Sequence, residues 1–139
     1  MKKLSISLFT SFLLIFGACD PERSTTFIVD NQTDIDATMQ VYPNSLDQTY
    51  DLPSKEKTAI IHVEDDPGDG PSPIFIKEIV DSVEVIFDNE RHITYYPDSS
   101  SLPSNKTIYN HAYYEENKDG THFNLTFAIT EEDLANAQN

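Results

Sequence analysis

Basic residues are scarce in this chain: nine Lys and Arg stand against 24 Asp and Glu, for a formal net charge of −15. That balance excludes the basic footprint nucleic acid requires, and it excludes docking onto anionic lipid by charge alone. Only four glycines occur, one of them Gly17, so there is no glycine-rich loop to cradle a phosphate. No Gly-x-Ser-x-Gly elbow is present, and no two histidines stand at His-x-x-x-His or His-Glu-x-x-His spacing. Cys19 is the only cysteine. No intrachain disulfide can form, and stability must come from a packed core. The longest apolar run, residues 4–16, carries Ser5, Ser7, Thr10 and Ser11. At about 1.5 Å per helical residue it covers roughly 20 Å of a bilayer core about 30 Å thick, too little for a spanning helix.

What is there begins with the order of residues 1–19. Lys2 and Lys3 precede the apolar run, and Gly17 and Ala18 precede Cys19. Charge, apolar stretch and small residues in that order read as a secretory signal. Phe16-Gly17-Ala18-Cys19 resembles the bacterial lipobox, with Phe16 where Leu is usual. The resemblance implies cleavage before Cys19, whose thiol then carries diacylglycerol, with fatty chains such as palmitate as the anchor. Removing residues 1–18 removes Lys2 and Lys3 and no acid, which leaves a charge of −17. Asp20 and Glu22 follow. They resemble an inner-membrane retention signal of enterobacteria or a surface-export signal of Bacteroidota, and a plain tether also accounts for them.

Beyond the tether, polar and apolar residues alternate far more than they recur at helical spacing. The pattern predicts strands at 25–30, 37–42, 58–64, 74–77, 82–87, 92–96, 109–116 and 121–129, with turns between them. In the strand at 58–64, Ala59, Ile61 and Val63 are expected on one face and Ile60, His62 and Glu64 on the other. In the last strand Phe123, Leu125, Phe127 and Ile129 face one way and His122, Asn124, Thr126 and Ala128 the other, as in a sheet wet on one side. A four-residue loop, 117–120, would set Tyr114 opposite Phe123 and Ala112 opposite Leu125. Thr130 can cap a short helix whose first turn holds Glu131, Glu132 and Asp133, docked by Leu134. The expected architecture is all-β: a single antiparallel β-sandwich of about seven or eight short strands with a short C-terminal helix. The expected organisation is a signal peptide at 1–18, a lipidated N-terminus and tether at 19–25, and one sandwich domain at 26–139.

Sites of chemistry are few. Asp65, Asp66 and Asp69 lie in an acidic, Pro- and Gly-rich loop that lacks calcium-loop spacing, so a solvent loop is expected there. The four histidines, His62, His92, His111 and His122, are expected to be scattered over the surface rather than gathered on a metal. Glu115 and Glu116 are adjacent, so in a strand they point to opposite faces and cannot pair as glycosidase carboxylates. In Tyr95-Tyr96 and Tyr113-Tyr114 one ring of each pair faces inward and one outward, and an outward ring can stack on a sugar or a protein partner. Asn31, Asn105 and Asn124 open Asn-x-Thr sequons, which carry no meaning in a bacterial lipoprotein. Asp81-Ser82-Val83 resembles the short O-glycosylation motif of Bacteroidota, with Ser82 as acceptor.

The start Phe16 to Glu22, the stretches 27–34 and 81–88, and the ending 127–133 together resemble the small lipoproteins of Bacteroidota. The resemblance is one of pattern, covers most of the chain after Cys19, and implies no catalytic residue. The expectation is a lipid-anchored binding or accessory module of the cell envelope, not an enzyme, with no cofactor and no metal. It would sit on the outer membrane, facing the periplasm or the cell surface. Its partners would be the membrane, through the lipid on Cys19, and a protein or glycan, with nucleic acid excluded. The alternative is an acidic inhibitory or structural partner of a basic envelope protein.

Overall fold

The computed structural model describes residues 23–42, 48–65, 80–88, 90–97 and 106–138. They form an all-β sandwich of two four-stranded sheets with one short C-terminal helix. The strands are β1 (Arg23–Asn31), β2 (Ala37–Tyr42), β3 (Thr49–Leu52), β4 (Glu56–Asp65), β5 (Ser82–Phe87), β6 (Arg91–Tyr95), β7 (Tyr114–Asp119) and β8 (His122–Ile129), and the helix is α1 (Glu131–Asn136). Sheet A has the order β4-β1-β8-β7 and sheet B the order β3-β2-β5-β6. All pairs are antiparallel except β1 with β8, which is parallel, a departure from the all-antiparallel expectation. The predicted strand at 74–77 lies outside the described residues, as do Asp66, Asp69 and Asn105 of the sequence motifs.

Strict alternation builds the core. Phe27 and Val29 of β1 and Phe123, Leu125, Phe127 and Ile129 of β8 point inward from sheet A. Met39, Val41, Val83, Val85 and Phe87 answer from sheet B. The sheets meet where the Tyr95 ring stands edge-on to Phe127 with centroids 5.7 Å apart. The tyrosine pairs divide as expected: Tyr95 is buried and Tyr114 packs on Phe27 and Phe127, while Tyr96 and Tyr113 are exposed.

Three local features differ from expectation. The strand β3 was not predicted: it has four residues, and Thr49-Tyr50-Asp51-Leu52 buries only Leu52 fully. In β4 the register slips between Phe27 and Ile28, which pair with Ile61 and Ala59 and leave Ile60 as the extra residue of a bulge. Ile60 and Ile61 therefore both pack against the core, and Ala59 is exposed, so the expected single face is broken there. The last hairpin turns through Gly120 and Thr121 alone, with Asp119 paired to His122, and residues 111–113 form a 3-10 turn instead of strand. Gly120 has φ +60, at the position where a type II′ turn calls for glycine. Tyr114 consequently lies opposite Phe127 rather than Phe123, and Lys118 lies opposite Phe123.

The helix forms as its sequence predicts. Thr130 caps it in a reciprocal box with Asp133, and Leu134 is buried against the core. Beyond it Gln138 bonds the backbone of His92 in both directions, which covers the β6 edge at that point.

Candidate functional site

The outer face of sheet A can be laid out row by row from its registers. The first row reads Glu64, Ser24, His122, Asp119 across β4, β1, β8 and β7; the second reads His62, Thr26, Asn124, Asn117. The parallel pairing of β1 with β8 puts the start of β8 beside the start of β1, while antiparallel β4 brings its end to the same place. The residues of the central strand in these rows, Ser24 and Thr26, are small. The imidazoles of the flanking strands lean over them and stack, with centroids 5.7 Å apart and planes inclined by 28°.

A hydrogen-bond chain ties the group together. Ser24 Oγ lies 2.6 Å from His122 Nδ1, and His122 Nε2 lies 3.1 Å from Asn124 Oδ1 and 3.3 Å from Thr26 Oγ1. Thr26 Oγ1 lies 2.9 Å from His62 Nδ1. With both imidazoles neutral and protonated on Nε2, every contact is satisfied. Ser24 then donates to His122, His122 to Asn124 and Thr26, and Thr26 to His62.

The expectation of scattered histidines thus holds for His92 and His111 and fails for His62 and His122. His92 lies 4.0 Å from Glu84 on sheet B, and His111 lies 4.0 Å from Glu116 in its 3-10 turn. The signal that could have exposed the pair is the small hydroxyl column at Ser24 and Thr26. It becomes informative only once β1 is known to lie between β4 and β8.

The Ser24–His122 contact has the reach of a nucleophile and its base. Acyl transfer also needs donors aimed at the developing oxyanion. Backbone N–H groups lie in the plane of a sheet, and β1 is laddered on both sides, so none projects from this face toward Ser24 Oγ. What the face presents is hydroxyl, imidazole and amide groups joined in one hydrogen-bond chain. Among the described residues no three of His, Cys, Asp and Glu converge as metal ligands.

Sheet B carries a second feature, an open cleft of about 410 Å³ at the start of β2. Asp36, Asp51 and Asp88 line it together with Thr38, Pro53 and Ile86. Asp36 accepts the Ser54 amide at 2.8 Å, and Asp88 pairs with Arg91 at 3.0 Å.

The remaining sequence candidates fall as follows. Cys19 lies outside the described residues. Asp65 ends β4, Ser82 opens β5 half-buried, and Glu115 and Glu116 are exposed on β7, opposite Thr126 and Leu125. Asn31 and Asn124, the sequon residues within the described stretches, are held by side-chain hydrogen bonds, Asn31 in full burial. No helix among the described residues is long and apolar enough to cross a membrane.

No protein-family model matches the chain, and no curated protein or solved structure shows significant similarity to it.

Proposed function

We propose that this protein is a lipid-anchored binding or accessory module of the cell envelope, held through Cys19 on the outer membrane and acting without catalysis of its own. The observation that carries this reading is the place of Cys19 between a secretory-type stretch and the first strand. Its β1 opens at Arg23, with Asp20, Pro21 and Glu22 between. Four residue steps span at most about 14 Å of extended chain. An anchor at Cys19 would therefore hold the β1 end of sheet A close to the bilayer, with the polar face of that sheet open to a protein or glycan partner. Outward Tyr96 and Tyr113 add rings of the kind that stack on sugars. Changing Cys19→Ser should release the protein from the membrane fraction. If the variant still pellets with membranes and resists high-salt extraction, the anchor reading is wrong.

The acidic cleft on sheet B and the charge of −15 favour a second reading, an acidic partner that blocks or braces a basic envelope protein. Salt separates the two. Association with a basic protein slows steeply as ionic strength rises, whereas stacking on a neutral glycan barely responds.

A further inference from the structure

Two tyrosines flank a serine on the outer face of sheet B. We propose that this face binds a linear, neutral, β-1,4-linked oligosaccharide, stacked on Tyr42 and Tyr96 and running toward the cleft at the start of β2. This rests on the binding-module reading above and gives it a ligand class and a second face. Tyr42 ends β2 pointing outward, paired with Ser82 of β5. Tyr96 comes one residue after Tyr95, the partner of Val83, so it leaves β6 on the other flank of Ser82. Tyr95 is buried and Tyr96 is 52% exposed, which turns the Tyr96 ring to the outer side. Two strand spacings of about 4.8 Å set the tyrosines roughly 10 Å apart. That is the separation of a sugar from the next but one in an extended β-1,4-linked chain, whose alternate units turn the same face to one side. Ser82 between the rings is too small to fill the gap.

The Tyr42 ring is held for that role. Its hydroxyl donates to Gln40 Oε1 at 2.6 Å and stands 3.3 Å from Glu84 Oε2. Both partners belong to the next row of the same face, Thr49, Gln40, Glu84 and Thr94. The hydroxyl is therefore drawn along the strand, and the ring lies over the sheet with one side toward solvent. A ring fixed in this way offers its apolar face to the C–H groups of a sugar with little further ordering. Gln40, Glu84 and Thr94 bring amide, carboxylate and hydroxyl groups to the sugar hydroxyls beside it. The row beyond holds Asp51, Thr38 and Ile86, which also line the cleft of about 410 Å³. Tyrosines, polar row and cleft are thus successive rows of one face. No Lys or Arg stands in these rows, while Glu84 and Asp51 do, so the face repels an anionic sugar and accepts the hydroxyls of a neutral one.

The test uses the full chain in detergent, with β-1,4-linked tetrasaccharides of glucose, mannose and N-acetylglucosamine as probes. The chain has no tryptophan, so tyrosine emission reports binding directly, with calorimetry beside it. Expected is saturable binding of at least one of the three, unchanged between low and high salt. Its disaccharide, which cannot span both rings, should bind about tenfold more weakly. Tyr42→Ala and Tyr96→Ala should each lower affinity about five- to tenfold. Tyr42→Phe keeps the ring but releases it from Gln40, and should lose a smaller factor than the alanine variant. Tyr113→Ala removes the other exposed ring and should leave binding unchanged. No saturable binding of any of the three overturns the proposal. So does equal loss in the Tyr113 variant, or affinity that falls steeply with salt. Those results would leave the anchored-module reading standing, since that reading fails only if Cys19→Ser stays with the membranes.

Discussion

Lys106 places its ammonium 2.5 Å from Asp133 Oδ2 while lying 4.8 Å above the Phe127 ring. The same ammonium donates to the carbonyl of Ala128. One side chain thus ties the segment before the 3-10 turn to the end of β8 and the first turn of α1. Asp133 is also the acid of the capping box, accepting from Thr130 N at 2.8 Å and Thr130 Oγ1 at 2.9 Å. Its carboxylate is nearly buried, with 8% of the side chain exposed, so its charge must be compensated inside the protein.

Replacing Lys106→Met keeps much of the stem but leaves that carboxylate without its cation. Breaking a buried pair costs about 3 to 5 kcal/mol. Lys106 retains 17% exposure, so water relieves part of the loss, and about 2 to 4 kcal/mol is the expected range. Asp133→Asn in the Lys106→Met background should recover part of it, because a neutral amide tolerates burial better. Urea titration of the two variants measures both steps. Stability unchanged in Lys106→Met would mean that the pair is not formed in solution.

Much of this fold is legible in the residues alone, and the parts that are not have physical reasons. β2 and β5 sit at their predicted limits because Met39, Val41, Val83, Val85 and Phe87 alternate without interruption. The capped helix is equally plain from Thr130 and the acids after it. Alternation does not report which strands are neighbours, so the parallel β1–β8 pair and the meeting of His62 with His122 stayed hidden. It fails outright at Ile60, where a bulge shifts the phase. The hairpin register differs for another reason: a two-residue loop that sets Glu116 opposite Phe123 looks like a buried charge, whereas in the observed two-residue turn Glu116 lies opposite Leu125 on the edge strand β7 and remains exposed.

That register makes a prediction of its own. Lys118 Nζ sits 5.0 Å above the Phe123 ring, as neighbours opposite each other across the hairpin. A double-mutant cycle on Lys118→Ala and Phe123→Ala should return a coupling of about 0.5 to 1 kcal/mol, the size of an exposed cation–π contact. The four-residue loop would place Tyr114 opposite Phe123 instead and give no coupling to Lys118. Phe127→Ala should be the harsher single change, at about 3 to 5 kcal/mol. Phe127 is fully buried among Tyr95, Tyr114 and Lys106, whereas Phe123 lies outside the central cluster.

High pH should unfold the protein through its tyrosines. Burial pushes the hydroxyls of Tyr95, Tyr114 and Tyr109 well above their ordinary range. The Asp133 charge adds to this for Tyr95, neighbouring tyrosines add for Tyr114, and Asp81 adds for Tyr109. The unfolded chain releases these protons near about pH 10 while the folded chain holds them. Above that pH the unfolded state binds fewer protons, so stability is fully present below about pH 10 and falls as pH climbs toward the folded values. Phenolate absorbance followed beside far-ultraviolet dichroism tests this. Of the seven tyrosines, these three should ionise only as the strands are lost. If all seven ionise together with the fold intact, the hydroxyls are not buried as described.

The last prediction concerns Asn31, which ends β1 fully buried. Its amide nitrogen donates to the carbonyls of Ile35 and Leu52, each at 2.9 Å. Its amide oxygen accepts from Thr33 N at 3.1 Å and Thr33 Oγ1 at 2.8 Å. The side chain therefore joins the end of sheet A to the turn that enters sheet B and to β3. Asn31→Ala leaves those buried partners unsatisfied, at a cost of about 1 to 3 kcal/mol for each group that water cannot reach. A total of about 3 kcal/mol is expected, a large share of a small domain's stability. Asn31→Asp separates shape from chemistry. Aspartate has nearly the same outline but cannot donate, and its charge would face two carbonyl oxygens in the interior. It should be at least as damaging as alanine near neutral pH, and should regain stability as acid protonates the carboxyl and restores a donor. Denaturant midpoints for both variants at neutral and mildly acidic pH decide the matter. An aspartate variant as stable as the parent at neutral pH would mean that the amide nitrogen makes neither bond.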